Sequence, residues 1–282
     1  MMKILRDTPC TAGENALHML PSSTDTICNS FIITTMNGGL IVIDGGFRSE
    51  TPFFLQSLKR ISGERRPHID AWFLSHPHDD HVSVPFDVIE NHGDEVEIGT
   101  VYFNFPSRGY LADGDLSAAG TMDWFYRVLP LFANRARIAS EGDVIDVRNA
   151  TFRVLHSQNC AVKVNRPNNC SLVFRMDLCG TSVMFTGDCG VEGGKEVLDR
   201  YSGSGLLKCD ICQMAHHGQN GCDRDFYEAV SPGICLWPTP TWVWSNFDGT
   251  GNLKTLEVRR WIEEMGIAQN LVSKDGPVCI YL

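Results

Sequence analysis

Four side chains that commonly bind transition metals lie close together in the sequence near position 80. They are His76, His78, Asp80 and His81, in the pattern His-x-His-x-Asp-His. Imidazole nitrogens and carboxylate oxygens of this kind suit zinc best among the common divalent cations. The two imidazoles of His76 and His78 can hold one cation from a single loop, while Asp80 and His81 point onward to another. The pattern therefore predicts a centre for two metal ions.

Four side chains cannot complete two coordination shells, so the prediction requires further ligands elsewhere in the chain. His156, Asp188 and the pair His216-His217 are the candidates. Each of them stands just after a segment that the sequence pattern predicts to be a strand. Ligands presented from loops at strand ends are typical of functional sites on rigid scaffolds.

The elements that position these residues can be predicted from apolar periodicity and turn residues. The strand at 71–74 leads into the histidine cluster, the strand at 151–155 ends at His156, and the strand at 210–215 ends at His216. Hairpins are predicted over 29–44, with a type I′ turn at Asn37-Gly38, and over 171–186. Helices are predicted over 51–63, over 120–137 with a kink at Pro130, and over 255–265, and a last strand over 277–282.

This succession predicts an α/β protein made of two β-rich halves with flanking helices, in a four-layer αββα sandwich. No internal repeat and no long Pro-, Gly- or Ser-rich linker divides the sequence. We therefore expect a single domain over residues 1–282.

The order of these motifs resembles the metallo-β-lactamase superfamily, whose signature is His-x-His-x-Asp-His followed by a separate His, an Asp and a last His. The resemblance extends from Asp44 to about Gly218, and the segment 185–188, Phe-Thr-Gly-Asp, resembles the family's bridging-Asp motif. The segments 168–173 and 215–218 resemble more narrowly the ComEC-type and phosphorylcholine-esterase-like branch. That branch usually carries a later His-Pro, whereas residues 246–252 contain no histidine.

The resemblance implies a role for each candidate residue. The first metal would be bound by His76, His78 and His156, and the second by Asp80, His81 and either His216 or His217, of which His217 is preferred. Asp188 would bridge both metals. Asp44 would orient a ligand imidazole, and His216 would then face the substrate or support a ligand.

The implied chemistry is hydrolysis of an ester, with a phosphodiester as a possible substrate class. Two zinc ions, or alternatively manganese or iron, can hold a hydroxide between them, because coordination lowers the pKa of water. Asp80 could orient that hydroxide or carry its proton, which makes Asp80 and His216 the candidate catalytic residues. Two alternatives remain open: a non-haem iron redox protein of the same fold, and a regulatory protein that binds metal without catalysis.

Composition restricts the remaining function classes. The formal net charge of −10 argues against a broad basic face for nucleic acid and leaves only a local groove open. No apolar run is long enough for a membrane-spanning helix. Eleven scattered cysteines without a signal segment predict reduced thiols in a cytoplasmic protein that acts on a small molecule, in an oligomeric state that the sequence does not indicate.

Two further motifs have more than one interpretation. Cys209 and Cys212 have the CxxC spacing of a redox or zinc-binding pair, but they lie in a predicted strand and are expected to be buried, inert thiols. The aromatic and proline-rich segment 237–244 could form a substrate-binding wall, and core packing or a subunit interface is an equal alternative.

Overall fold

The computed structural model describes residues 2–6, 13–246 and 253–282, which fold into two β-sheets flanked by helices. The strands in chain order are β1 (Ile4–Arg6), β2 (Ala16–Met19), β3 (Ser30–Thr34), β4 (Leu40–Asp44), β5 (His68–Phe73), β6 (Glu97–Phe103), β7 (Ala136–Ile138), β8 (Val144–Val147), β9 (Ala150–His156), β10 (Val173–Leu178), β11 (Thr181–Phe185), β12 (Ile211–Gln213), β13 (Ile234–Trp237), β14 (Gln269–Val272) and β15 (Val278–Tyr281).

The α-helices connect these strands on the outer faces of the sheets. In chain order they are α1 (Thr51–Ser62), α2 (Asp79–Asn91), α3 (Arg108–Ala112), α4 (Leu116–Phe132), α5 (Val191–Tyr201), α6 (Arg224–Val230), α7 (Thr241–Ser245) and α8 (Thr255–Glu264).

The two sheets stack face to face between two layers of helices. The first sheet has the order β1-β15-β2-β3-β4-β5-β6-β7, and the second has the order β14-β13-β12-β11-β10-β9-β8. One apolar cluster joins the first sheet to α1–α4, a second fills the space between the sheets, and a third joins the second sheet to α5, α6 and α8. The predicted four-layer αββα sandwich is confirmed.

Adjacent residues of the central strands point into different apolar layers. On β4, Val42 faces the helices and Ile43 faces the opposite sheet; on β5, Trp72 and Phe73 divide in the same way. This follows from the two-residue period of a strand, and it explains why these strands are apolar on both faces. The Phe73 ring packs 4.5 Å, centroid to centroid, from Phe152 of the other sheet.

The predicted type I′ turn at Asn37-Gly38 is wrong. Gly38 has a positive φ of 78° but Asn37 does not, whereas a type I′ turn needs both. The loop is longer, because the Thr35 hydroxyl accepts a hydrogen bond from the Gly39 N–H at 2.8 Å and the Thr35 N–H donates to the Gly39 carbonyl at 3.0 Å. A side chain outside the two-residue motif therefore decides the turn.

The predicted helix over 120–137 is displaced towards the N-terminus. Helix α4 begins at Leu116 because the Asp115 side chain caps it, and it ends at Phe132, ahead of β7. Pro130 lies inside the last turn of α4 and does not divide the helix. A proline so near the C-terminal end removes one N–H donor where the helix is about to stop.

The cysteines depart from the expectation at one position. Nine described cysteines are free thiols, but Cys279 is disulfide-bonded. Cys209 and Cys212 are buried as predicted, and burial raises the pKa of Cys209 to about 12. As for the membrane, no helix among the described residues has both the length and the apolar character to cross a bilayer.

Truncating the aromatic contact between the sheets should test this packing. Phe73→Ala removes a fully buried ring and should lower the free energy of unfolding by about 3–5 kcal/mol, measured by urea denaturation. Leu116→Ala is the control because its side chain is 78% exposed, and it should change stability by no more than about 0.5 kcal/mol. Equal effects of the two substitutions would contradict the packing described above.

Candidate metal centre

Six of the predicted ligands meet at one edge of the sandwich, in segments that follow strand ends. His76 and His78 lie in the loop after β5, Asp80 and His81 in the first turn of α2, Asp188 in the loop after β11, and His217 in the short turn after β12. β5 runs parallel to β4, and β12 runs parallel to β11, so the C-terminal ends of each pair lie at the same edge of their sheet. Segments that are distant in the sequence therefore lie close together at this edge.

One group of four possible ligands consists of Asp80, His81, Asp188 and His217, whose ligand atoms all lie within 4.8 Å of one another. The His81 Nε2 is 3.1 Å from the Asp188 Oδ1, and the His217 Nε2 is 2.9 Å from the Asp80 Oδ2. All four side chains are buried. Two imidazoles and two carboxylates around one point form a suitable donor set for a divalent cation.

A second group consists of His76, His78 and Asp188, again with ligand atoms within 4.8 Å of one another. The His76 Nε2 is 3.0 Å from the His78 Nδ1 and 3.9 Å from the Asp188 Oδ2. Asp188 belongs to both groups and offers a different oxygen at the shortest contact with each. The geometry therefore provides two adjacent groups of candidate metal ligands that share one carboxylate.

Asp44 fixes the loop that carries the histidine cluster. Its carboxylate accepts hydrogen bonds from the Ser75 N–H at 2.8 Å, the His81 Nδ1 at 2.7 Å and the Asn29 amide at 2.7 Å. The residue is fully buried at the end of β4 and has a positive φ of 53°. Because the Asp44 carboxylate accepts a hydrogen bond from the His81 Nδ1–H, the His81 Nε2 is left to face Asp188.

The segment after β13 holds His217 from behind. The Pro238 carbonyl accepts a hydrogen bond from the His217 Nδ1 at 2.9 Å, and the Thr239 hydroxyl donates to the His217 carbonyl at 2.6 Å. Gly218 must be glycine, since its φ is 76° and an added Cβ would lie 2.3 Å from the Trp237 ring. At least the start of the aromatic segment therefore serves core packing and ligand support.

The buried carboxylates require positive charge. Burial alone would lower the pKa of His81, but the carboxylates of Asp188, Asp80 and Asp44 raise it well above the usual value for histidine. Despite its burial, His217 has its pKa raised to about 9 by Asp188 and Asp80. Burial would raise the pKa of Asp188, and the histidines lower it well below its ordinary value. A bound cation would meet this demand without protonating the imidazoles.

A family model of the metallo-beta-lactamase superfamily matches residues 23–225, which is most of the chain and contains every residue of both groups. The chain belongs to the metallo-beta-lactamase superfamily.

A sequence relative matches this chain over only part of each protein. ComE operon protein 3 of Bacillus subtilis is 33% identical over 96 residues, which are 34% of this chain and only 12% of that protein. This match agrees with the ComEC-type branch that the sequence motifs indicate.

Solved structures of the superfamily share the fold at low sequence identity. YhfI from Bacillus subtilis has a TM-score of 0.56 at 12% identity, with 93% of this chain and 98% of that chain covered. Zinc-bound PqqB from Methylobacterium extorquens has a TM-score of 0.53 at 11% identity, with 89% and 86% covered. The diiron β-hydroxylase CmlA from Streptomyces venezuelae has a TM-score of 0.59 at 12% identity, with 98% and 55% covered.

Two buried polar atoms of the site indicate that its residues suit a bound metal. The His81 Nε2 and the Asp188 Oδ1 are buried and lie 3.1 Å apart, but neither makes a hydrogen bond with the other or with any other described residue. Buried polar atoms without partners are rare and costly in folded proteins. A divalent cation between these atoms would satisfy both, so the donor set fits the metal that the family implies.

The structure does not bring His156 into either group. Its Nδ1 donates to the Ser171 carbonyl at 2.9 Å, and its Nε2 faces the Glu196 carboxylate on α5 at 3.6 Å. The register of β9 with β10 shifts at Val173, directly opposite His156, and the ring packs beneath α5 instead of beside Asp188. The ligand role that the resemblance implied for His156 stays a prediction: this geometry places its ring outside both groups, and its buried Nε2 has no hydrogen-bond partner among the described residues.

His216 also lies beside Asp188 but belongs to neither group. Its Nε2 is 3.7 Å from the Asp188 Oδ2, and its Nδ1 is 3.2 Å from the Asn220 carbonyl. Its side chain is 20% exposed, whereas that of His217 is fully buried. The preference for His217 as ligand fits this arrangement, and His216 faces the opening of the site.

Sequence reasoning missed the residues that hold the ligands from outside the motifs. The Pro238 carbonyl holds His217, and the Asp115 carboxylate lies 3.2 Å from the His78 Nε2. A helix-capping pattern at Asp115 could have been recognised, but no spacing connects that residue to His78. The later segment 246–252, which lacks the branch's histidine, lies outside the described residues apart from Asn246.

Replacing Asp44 should weaken metal binding without touching a ligand. Asparagine has nearly the same side-chain shape as aspartate and tolerates the positive φ of position 44. In Asp44→Asn, however, an NH₂ donor replaces one of the two carboxylate oxygens that accept hydrogen bonds from Ser75, His81 and Asn29. We expect zinc affinity, measured by competition with a chelator, to fall about 10- to 100-fold. The control is Asp70→Asn, which alters another strand carboxylate away from the centre and should retain the zinc affinity of wild type. A wild-type zinc affinity in Asp44→Asn would contradict the orienting role of Asp44.

Proposed function

We propose that this chain is a hydrolase that binds two divalent cations, with zinc preferred, and cleaves an ester bond in a small molecule. The observation that carries the proposal is the pair of ligand groups that share Asp188. His76, His78 and Asp188 would hold the first cation, and Asp80, His81, His217 and Asp188 the second. Nitrogen and carboxylate donors in this ratio favour zinc over the harder cations.

Bound cations of this kind would polarise the oxygen of the scissile bond and lower the pKa of a water molecule from about 15.7 towards about 7. The chain's own residues would then position the reactants. Asp80, 2.9 Å from the His217 Nε2 and buried at the centre, can orient the attacking water and hold its proton. His216, at the opening, can hydrogen-bond the substrate through its Nε2.

We propose a phosphodiester as the substrate class. Two adjacent divalent cations could stabilise both the attacking and the leaving oxygen of a phosphodiester, as two-metal phosphatases and nucleases do. The motif resemblance to the phosphorylcholine-esterase-like branch supports the same choice.

Metal content and hydrolysis should depend together on the shared carboxylate. Asp188→Ala should reduce zinc content, measured by elemental analysis, and lower the rate on bis(p-nitrophenyl) phosphate by about 1,000-fold or more, because metal stabilisation of the transition state amounts to several kcal/mol. Asp79→Ala is the matched control, since Asp79 adjoins Asp80 but belongs to neither ligand group.

The same assays of hydrolysis and metal content distinguish the alternative functions. Hydrolysis of a lactone or a thioester without any phosphodiesterase activity would reject the proposed substrate class. Iron in the purified protein with no hydrolysis of any ester would favour redox chemistry, and tight zinc binding with no turnover would favour a regulatory role.

Replacing His217 and replacing His156 should have different effects on zinc content. His217→Ala removes a member of the four-ligand group and should release zinc, whereas His156→Ala should retain it because that ring faces Glu196. The measurement is elemental analysis after gel filtration, with circular dichroism to confirm folding. Loss of zinc from folded His156→Ala would restore His156 as a ligand.

A further inference from the structure

Asp115 joins the α3–α4 connection to the candidate metal centre. Its Oδ2 lies 3.2 Å from the His78 Nε2, across 37 positions of sequence. Its Oδ1 accepts a hydrogen bond from the Ala118 N–H at 3.0 Å and so caps the N-terminus of α4. One carboxylate thus starts a helix with one oxygen and contacts a metal-ligand candidate with the other.

The contact determines which His78 nitrogen is available to a metal. An ionised carboxylate can only accept hydrogen bonds, so the His78 Nε2 must donate to Asp115. The other nitrogen, Nδ1, then keeps its lone pair and points to the His76 Nε2, 3.0 Å away. This matches the arrangement by which carboxylates fix the tautomer of metal-binding histidines.

His78 depends on this partner because of its location. Its side chain is 19% exposed, whereas the side chains of His76, His81 and His217 are fully buried. Those three rings are restrained by the surrounding core. The ring of His78 stands at the opening, where water could compete for its outer nitrogen.

The backbone around Asp115 is itself held in place. The Asp115 N–H donates to the Leu111 carbonyl at 2.7 Å, and the Asp115 carbonyl accepts from the Ala119 N–H at 3.2 Å. Leu111 is fully buried in the layer beneath α3 and α4. The carboxylate therefore approaches His78 from a fixed support.

We propose that Asp115 is a positioning residue for the metal centre, which holds His78 in the orientation and tautomer that direct Nδ1 to the first cation. This inference rests on the proposed function, because it takes His78 as a metal ligand. It gives the α3–α4 connection a role in the site that no motif in the sequence assigns.

Asp115→Asn separates the contact with His78 from the helix cap. Asparagine caps helices as well as aspartate does, so its Oδ1 can keep the bond to the Ala118 N–H. Its Nδ2 is then a donor facing the His78 Nε2, which favours the tautomer with the proton on Nδ1. The matched control is Asp113→Asn, which alters a 74% exposed carboxylate on the same connection.

Two measurements test the proposal. In metal-free protein, the ¹⁵N chemical shifts of His78 should show the proton on Nε2 in wild type and in Asp113→Asn, and on Nδ1 in Asp115→Asn. Zinc affinity, measured with a competing chelator, should fall about 10- to 100-fold at one of two sites in Asp115→Asn and stay unchanged in Asp113→Asn.

Each result bears on the proposal in a different way. An Asp115→Asn variant with the wild-type tautomer and zinc affinity would overturn it. If that variant does not fold, Asp115→Ser replaces it, since serine preserves the cap with a shorter side chain and should weaken zinc in the same way. Wild type that takes up no zinc would instead reject the proposed function, while the tautomer measurement would still decide whether Asp115 fixes His78.

Discussion

Two carboxylates, Asp80 and Asp188, are buried where the loops of both sheets converge. Within the described residues, their ion-pair partners are imidazoles alone, with no lysine or arginine beside them. Buried carboxylates are costly unless they are paired or coordinate a metal. The surrounding histidines can supply the missing charge only by taking protons, which a metal would displace. The arrangement of this edge therefore depends on positive charge between these groups, from protonated imidazoles or from a bound cation.

The sandwich provides the rigidity that this charge cluster needs. The aromatic layer around Phe73 fixes one sheet against the other, and β5 and β11 each end in a ligand-bearing loop. Asp44 then ties the end of β4 to the histidine loop through Ser75 and His81. Because packed cores deform little, ligand positions on such loops can be kept close to the geometry that a metal requires.

Support for the ligands comes from chain segments that are far apart. The Pro238 carbonyl holds His217 from the end of β13, and Asp115 reaches His78 from the start of α4. Both partners occupy the nitrogen that points away from the centre. The fold thus brings the candidate ligands together, and the connection between α3 and α4 supports one of them from outside the sequence motifs.

The sequence by itself determined the layer order and indicated most of the candidate ligands. The strand period placed apolar residues on both faces of β4 and β5, and the density of His76, His78, Asp80 and His81 indicated metal because no strand or helix face explains it. Local patterns of this kind are set by residues close together in the chain. The turn after β3 and the start of α4 were missed because single side chains, Thr35 and Asp115, decide them.

Only the tertiary structure decided which of the more distant candidates face the centre. His156 and Asp188 both follow predicted strands, and the strand pattern alone does not distinguish them. The register shift opposite His156 turns its ring towards Glu196, while the loop after β11 carries Asp188 between both ligand groups. Likewise, His216 and His217 are neighbours in sequence, but only His217 is fully buried, where it forms hydrogen bonds with the Pro238 carbonyl and with Asp80. The direction of a side chain depends on strand register and hydrogen bonds between remote segments, which sequence spacing does not encode.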